Sequence, residues 1–350
     1  MKCCDKCFND QELIGFILTN STEKGNCECC QTPDVFLIDA RELEELFQPV
    51  VYAFKTLHDL GITVPIEKRL FQKIQDTWKI FRIQDLDLAE NLFFEIIVGI
   101  FPAGHAMLTE PVEIEALYRS DLSSDTHEKK WESFAAEIKS KNRFFLNETV
   151  DLKLLSELLG FFEKVYDPGK IFYRARISDK SGIPLEEMGK PPIDKATSGR
   201  ANPNGIPYLY VSASVDTSIY ESRSSHLDYL TVAEFRVAGS LKIVSLRGVD
   251  RVSPFVFSDS LDHYIVHQKY LIRLEQELSK PVRRFDKELD YLPSQYLCEY
   301  VKYLGYDAIE YGSSLQNGGI NLAIFNDDKL TSRSISIYQI TANFTYEKIS

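Results

Sequence analysis

Past residue 30 the chain has a single cysteine, Cys298, out of seven in the whole sequence. That scarcity excludes a disulfide-stapled scaffold, and Cys298, set in an apolar helical pattern, reads as a small core residue. Long apolar runs are also missing. The greasiest stretch, Leu92 to Phe101 (LFFEIIVGIF), carries Glu95 and has half of the roughly 20 residues needed to cross a bilayer, so it reads as a buried helix. Met1-Lys-Cys-Cys-Asp lacks the apolar core of a signal peptide, and the expectation is a soluble, cytoplasmic protein with no membrane partner. Positive charge is in deficit, with 40 Lys and Arg against 52 Asp and Glu and a formal net charge of −12. Such a surface repels nucleic acid and anionic lipid unless basic residues gather locally. The basic groups are short: Lys139-Lys141-Arg143 and Arg283-Arg284. There is no G-x-x-x-x-G-K-[ST], no G-x-G-x-x-G and no H-E-x-x-H, so a P-loop, a Rossmann dinucleotide site and a zincin site have no support.

What is present is ample apolar material, 44% hydrophobic and 12% aromatic over 350 residues, enough for two or three units with real cores. Six of the seven cysteines lie in the first 30 residues. Cys4-x2-Cys7 and Cys27-x2-Cys30 form two knuckles, the sulfur set that zinc binds tetrahedrally with no open position for substrate. The spacing predicts a structural zinc; Cys3 and Cys29 stand beside the knuckles as alternative ligands. Acidic neighbours argue against a nucleic-acid-binding ribbon.

Periodicity divides the chain further. Residues 1–35 are read as the ribbon-like segment and 36–165 as a helical, HEPN-like domain. Helices are expected from residue 40 to Gly61 and over 66–81, 87–100, 110–118, 127–141 and 151–165. "YDPGK", Tyr166 to Lys170, marks a boundary. Beyond it, alternation predicts strands at 171–177, 208–212, 229–237, 241–246, 308–311 and 322–325, with two more in "RSISIYQI" and "NFTYEKI". Helices are expected between them at 215–225, 260–278 and 294–304. The fold class is therefore α+β, with the mixed α/β half at 166–350.

One stretch of that half concentrates unusual chemistry. "GRANPNGIPYLYVSASVDTSIYE", Gly199 to Glu221, runs from a turn through a strand into a helix, with Ser214 placed as N-cap. It delivers Arg200, Tyr210 and Glu221 at its start, middle and end. Taken singly, each is as well explained by a surface ion pair or a half-buried ring. Together with the preceding "FYRAR" and the later "DYLPSQYLCEYVKYLGYDAIEYGSSLQNGGINLAIF", the stretch resembles the RES family over about residues 165–330. Ala201 departs from that pattern, where many members have tryptophan.

The resemblance implies an ADP-ribosyltransferase-like fold for the C-terminal half and an enzyme that consumes NAD, acting as an intracellular toxin or defence effector. It implies an antitoxin or other regulatory protein as partner, and a homo-oligomer is compatible with it. Residue by residue, it implies substrate binding by Arg174, Arg200 and Asn321, and catalysis by Glu221, Tyr210 and Ser313. Arg176 and Ser314 stand as reserves for Arg174 and Ser313. The chemistry suits these roles: arginines fork onto a diphosphate, and a carboxylate steadies the cation left when nicotinamide departs. Tyr210 supplies a ring and hydroxyl for nicotinamide, Ser313 a bond to amide or ribose, and Asn321 a tether for the "SSLQNGG" loop. Water, phosphate or a protein side chain are alternative acceptors, the last making a protein ADP-ribosyltransferase. A non-catalytic nucleotide sensor is the third reading.

Overall fold

The computed structural model describes residues 1–63, 68–118, 124–257, 260–281 and 287–341. The expected strand in "NFTYEKI" and the basic pair Arg283-Arg284 lie outside the described residues. Contacts divide the chain into two units, Met1–Thr126 with Asp250–Lys269, and His127–Val249 with Tyr270–Ser350. This division differs from the three consecutive segments expected from periodicity.

In the first unit, β1 (Lys2–Cys4), β2 (Glu23–Gly25) and β3 (Val35–Asp39) form a small antiparallel sheet in the order β1-β3-β2. Helix α1 (Gln11–Asn20) starts where the Asp10 side chain accepts from the Glu12 and Leu13 N–H groups. Next come α2 (Glu44–Tyr52), β4 (Phe54–Thr56), α3 (Leu70–Trp78), α4 (Leu86–Ile97), α5 (Ala106–Thr109) and β5 (Val112–Ile114). An aromatic core of Phe8, Phe47, Phe71, Phe81 and Phe93 joins them, and Phe47 packs on Phe255 at 5.0 Å between ring centres.

Two expectations are corrected here. The helix expected to reach Gly61 ends at Tyr52, and Phe54–Thr56 pairs as a strand with Val112–Ile114. The 110–118 span is accordingly β5 and a short 3-10 turn (Glu115–Tyr118), not a helix. In both spans the pairing of buried β-branched and aromatic residues outweighs the helical spacing of their apolar positions.

The second unit contains α6 (Ser124–Ser140) from His127 onward, α7 (Leu152–Gly160), β6 (Glu163–Tyr166), β7 (Ile171–Ser178), β8 (Leu209–Ser212), α8 (Val215–Glu221), β9 (Tyr229–Val237) and β10 (Leu241–Leu246). After α9 (Leu261–Ser279), within which the division of units falls, come α10 (Lys287–Asp290), α11 (Leu292–Tyr303), β11 (Ala308–Gly312), β12 (Ile320–Ile324) and β13 (Leu330–Gln339). Eight strands form one sheet in the order β13-β9-β7-β8-β12-β11-β10-β6, antiparallel except for β10 with β11. The expected helix 151–165 is corrected: it stops at Gly160, and Glu163–Tyr166 becomes the sheet's edge strand. "YDPGK" is thus the turn between two strands of one sheet. Phe172, Val211, Phe235, Ile243, Leu322 and Ile324 anchor the core on one sheet face.

Neighbouring residues of β11 serve different faces. Glu310 is fully buried and binds Ser245 Oγ at 2.7 Å, Lys164 Nζ at 3.3 Å and the Tyr166 hydroxyl, fastening the edge strand. Tyr311 points to the opposite face, where register aligns it with Asn321 and Ser212.

Candidate active site

Strands β7 and β8 pair only at Tyr173 with Ser212, whereas β7 pairs with β9 along its whole length. Along β7 and β8, a cavity of about 220 Å³ is lined from β7, β8, α8, β11 and β12 by residues including Tyr173, Arg174, Tyr210, Glu221, Tyr311 and Asn321. Arg176, Ser212, Ser218 and Ser222 also line it.

Helix α8 carries Glu221 to the cavity. Ser214 caps it as its sequence predicts, with Oγ accepting from Thr217 N at 3.1 Å. Ser313 Oγ donates to Glu221 Oε1 at 2.6 Å, and Asn321 Nδ2 donates to the same oxygen at 2.6 Å. No described residue donates to Oε2. One carboxylate oxygen is therefore held while the other is open to a ligand. The holders are themselves held. Ser212 Oγ donates to Asn321 Oδ1 at 2.7 Å, which fixes the amide with its NH2 toward Glu221. Ser313 Oγ accepts from Leu315 N and Gln316 N, both at 3.1 Å. Its one proton goes to Glu221, so Ser313 positions the carboxylate and does not line the cavity.

Tyr210 contributes its ring to the cavity, but its hydroxyl is committed elsewhere. It donates to Asn202 Oδ1 at 2.6 Å and accepts from Ala201 N at 3.0 Å, locking the "GRAN" turn. A Cβ at Gly199 would meet Asn202 Oδ1 at 2.6 Å and Tyr210 Oη at 2.7 Å, so only glycine fits there. Gln295 Nε2 on α11 ties the same turn through Gly199 O at 2.8 Å and Asn202 O at 3.0 Å.

Arg200 does not line the cavity. Its Nη1 donates to Lys280 O at 2.8 Å, and its guanidinium lies 5.7 Å from the Tyr291 ring centre. Arg174 does line it, with Nη1 on Gly189 O at 2.9 Å; Arg176 Nη1 holds Glu187 O at 2.7 Å. One short segment around the fully buried Met188 thus orients both guanidiniums and leaves each with further donors. Burial, with Arg176 adding its like charge, pulls Arg174 down to about 10, so an anion nearby would be strongly favoured.

Tyr173, Ser212 and Tyr311 were not singled out from sequence. Strand register places all three on the Tyr210 face, and period-two counting from Tyr210 reaches Ser212 directly. Burial holds the Tyr311 phenol well above its ordinary range; Arg200 draws it back and Glu221 raises it.

A model of the RES domain matches residues 171–346. The chain belongs to the RES-domain family. No curated protein matches it. A similar solved chain comes from the M. tuberculosis MbcT-MbcA toxin-antitoxin complex, at 12% identity and a TM-score of 0.33, covering 54% of this chain and 93% of that one.

Outside the residues that the RES model matches, the Sγ atoms of Cys4, Cys7, Cys27 and Cys30 all lie within 4.8 Å of one another. Three of the separations are 3.9, 3.5 and 3.5 Å. A tetrahedron of 2.3 Å Zn–S bonds has edges of about 3.8 Å, so the four thiols could hold zinc. Cys29 Sγ instead meets Met1 Sδ at 3.1 Å, outside the set.

Proposed function

We propose that the RES domain binds NAD and breaks its nicotinamide–ribose bond, as RES-domain enzymes of the toxin class process NAD. The observation that carries this reading is the half-held carboxylate of Glu221, with one oxygen gripped by Ser313 and Asn321 and the other free toward the cavity. A volume of about 220 Å³ suits the nicotinamide riboside end and is below the usual range for a whole drug-sized ligand. The ADP half then extends outward along β7, where Arg174 and Arg176 offer unspent N–H donors to the diphosphate.

In this reading nicotinamide leaves with the electron pair of the C–N bond. The ribose becomes cationic, and the free oxygen of Glu221 faces that charge. Tyrosine rings at Tyr173, Tyr210 and Tyr311 flank the leaving base and exclude water from it. Water or phosphate then captures the ribosyl carbon; water gives up a proton to solvent. Zinc at the four cysteines is structural in this reading, and an antitoxin or other regulatory protein restrains the enzyme in cells.

Incubating the full-length protein with NAD, with and without phosphate, should release nicotinamide together with ADP-ribose or its 1-phosphate. Labelled protein bands in place of free products would assign a protein acceptor. No loss of NAD under either condition would remove the enzymatic reading.

A further inference from the structure

We propose that loop 141–148, which follows α6, docks the protein onto a membrane surface of anionic phospholipid. The loop reads Lys-Asn-Arg-Phe-Phe-Leu-Asn-Glu, and Phe144 and Phe145 are 90% and 88% exposed. Single exposed apolar residues are ordinary on a soluble protein. Two adjacent phenylalanines left this open form a contact feature.

The loop is also clasped at its base. The Glu137 side chain, 4% exposed, accepts from Asn147 N at 3.1 Å, Asn147 Nδ2 at 2.8 Å and Glu148 N at 2.9 Å. Its backbone carbonyl accepts from Lys141 N at 2.8 Å and Asn142 N at 3.2 Å. Both ends of the loop are thus fixed to one residue of α6, and the two rings are presented by an ordered tip.

The surroundings favour a lipid surface over a protein pocket. Lys141 and Arg143 are exposed on the same loop and form no ion pair with a described residue, whereas Lys139 is engaged by Asp290 at 2.9 Å. Both rings stand almost fully open at the tip, so a rigid pocket would have to enclose two whole side chains at once. A fluid interface surrounds both, while phosphate headgroups meet the two cations. The net charge of −12 opposes attraction of the surface as a whole. Screening over roughly 10 Å confines that repulsion and leaves this tip as the point of approach. Two rings and two cations give weak, reversible attachment.

The inference is independent of the NAD reading. Its test is cosedimentation of the full-length protein with vesicles of phosphatidylcholine and phosphatidylglycerol in equal parts, and with phosphatidylcholine alone. The mixed vesicles should retain roughly tenfold more protein, and salt should release it. Phe144→Ser with Phe145→Ser, and separately Lys141→Glu with Arg143→Glu, should each lower retention by about tenfold, with melting unchanged because the altered side chains are exposed. Failure to bind mixed vesicles, equal binding to both kinds, or full retention by either double variant would overturn the proposal. So would a drop in the mass of the lipid-free protein on losing the two rings, which would assign the tip to a second copy of the chain.

Discussion

Asn321 Nδ2 lies 2.6 Å from Glu221 Oε1, with its own Oδ1 held by Ser212. The amide therefore determines which carboxylate oxygen stays free. Asn321→Asp sets two carboxylates against each other, and such a pair shares one proton. Turnover at neutral pH should fall by about tenfold or more, then climb with pH as the shared proton is lost. Ser212→Ala, which only frees the amide to flip, should cost a smaller factor.

Glu221→Gln preserves size but deletes the charge facing the ribosyl cation. We expect a fall in kcat of roughly 100-fold or more, with the dissociation constant for NAD little changed. In cells, wild-type expression should drain NAD and stop growth while the glutamine variant is tolerated. A wild-type rate of nicotinamide release from the variant would make Glu221 an ordinary helix-end acid.

The two arginines should separate. Arg174→Gln removes a cavity cation and should weaken ADP-ribose binding by about tenfold or more by calorimetry. Arg200→Ala should weaken it less and instead lower the melting temperature, because its bond is to Lys280 O.

Arg174 also gives a pH test. Its folded value, about 10, lies below the ordinary 12.5, so its charged form costs stability below pH 10. That cost fades as pH rises from about 10 toward 12.5. A bound diphosphate favours the charged form, so ADP-ribose affinity should hold through neutral pH and fall as pH passes about 10. The melting temperature of ligand-free Arg174→Gln at neutral pH should not drop.

For the cysteine cluster, elemental analysis should find about one zinc per chain. Cys7→Ser should lose it and lower the melting temperature of the full-length protein, leaving NAD cleavage measurable at low temperature.

Much of the sheet was legible because its strands alternate cleanly: Tyr229–Val237 and Leu241–Leu246 match their expected limits. Short strands such as Phe54–Thr56 were not, since three residues carry no period and form only against a partner 60 positions away, as Phe54 does with Ile114. The cavity was half legible. Motif residues marked Glu221, Tyr210 and Arg174, but Tyr311 and Ser212 look like any strand residue until register shows their face. Nothing local indicates that the Tyr210 hydroxyl and Arg200 are spent on the turn and on Lys280.

The interleaving of the two units bears on synthesis. Phe255, which packs on Phe47, leaves the ribosome some two hundred residues after it. The N-terminal unit therefore cannot complete its core while it alone has emerged, and at about 5–20 residues per second that gap lasts on the order of ten to forty seconds. During that interval the nascent chain has an open aromatic surface for a chaperone to meet. A fragment cut at the start of the RES match would likewise carry residues 250–269 away from the core they complete.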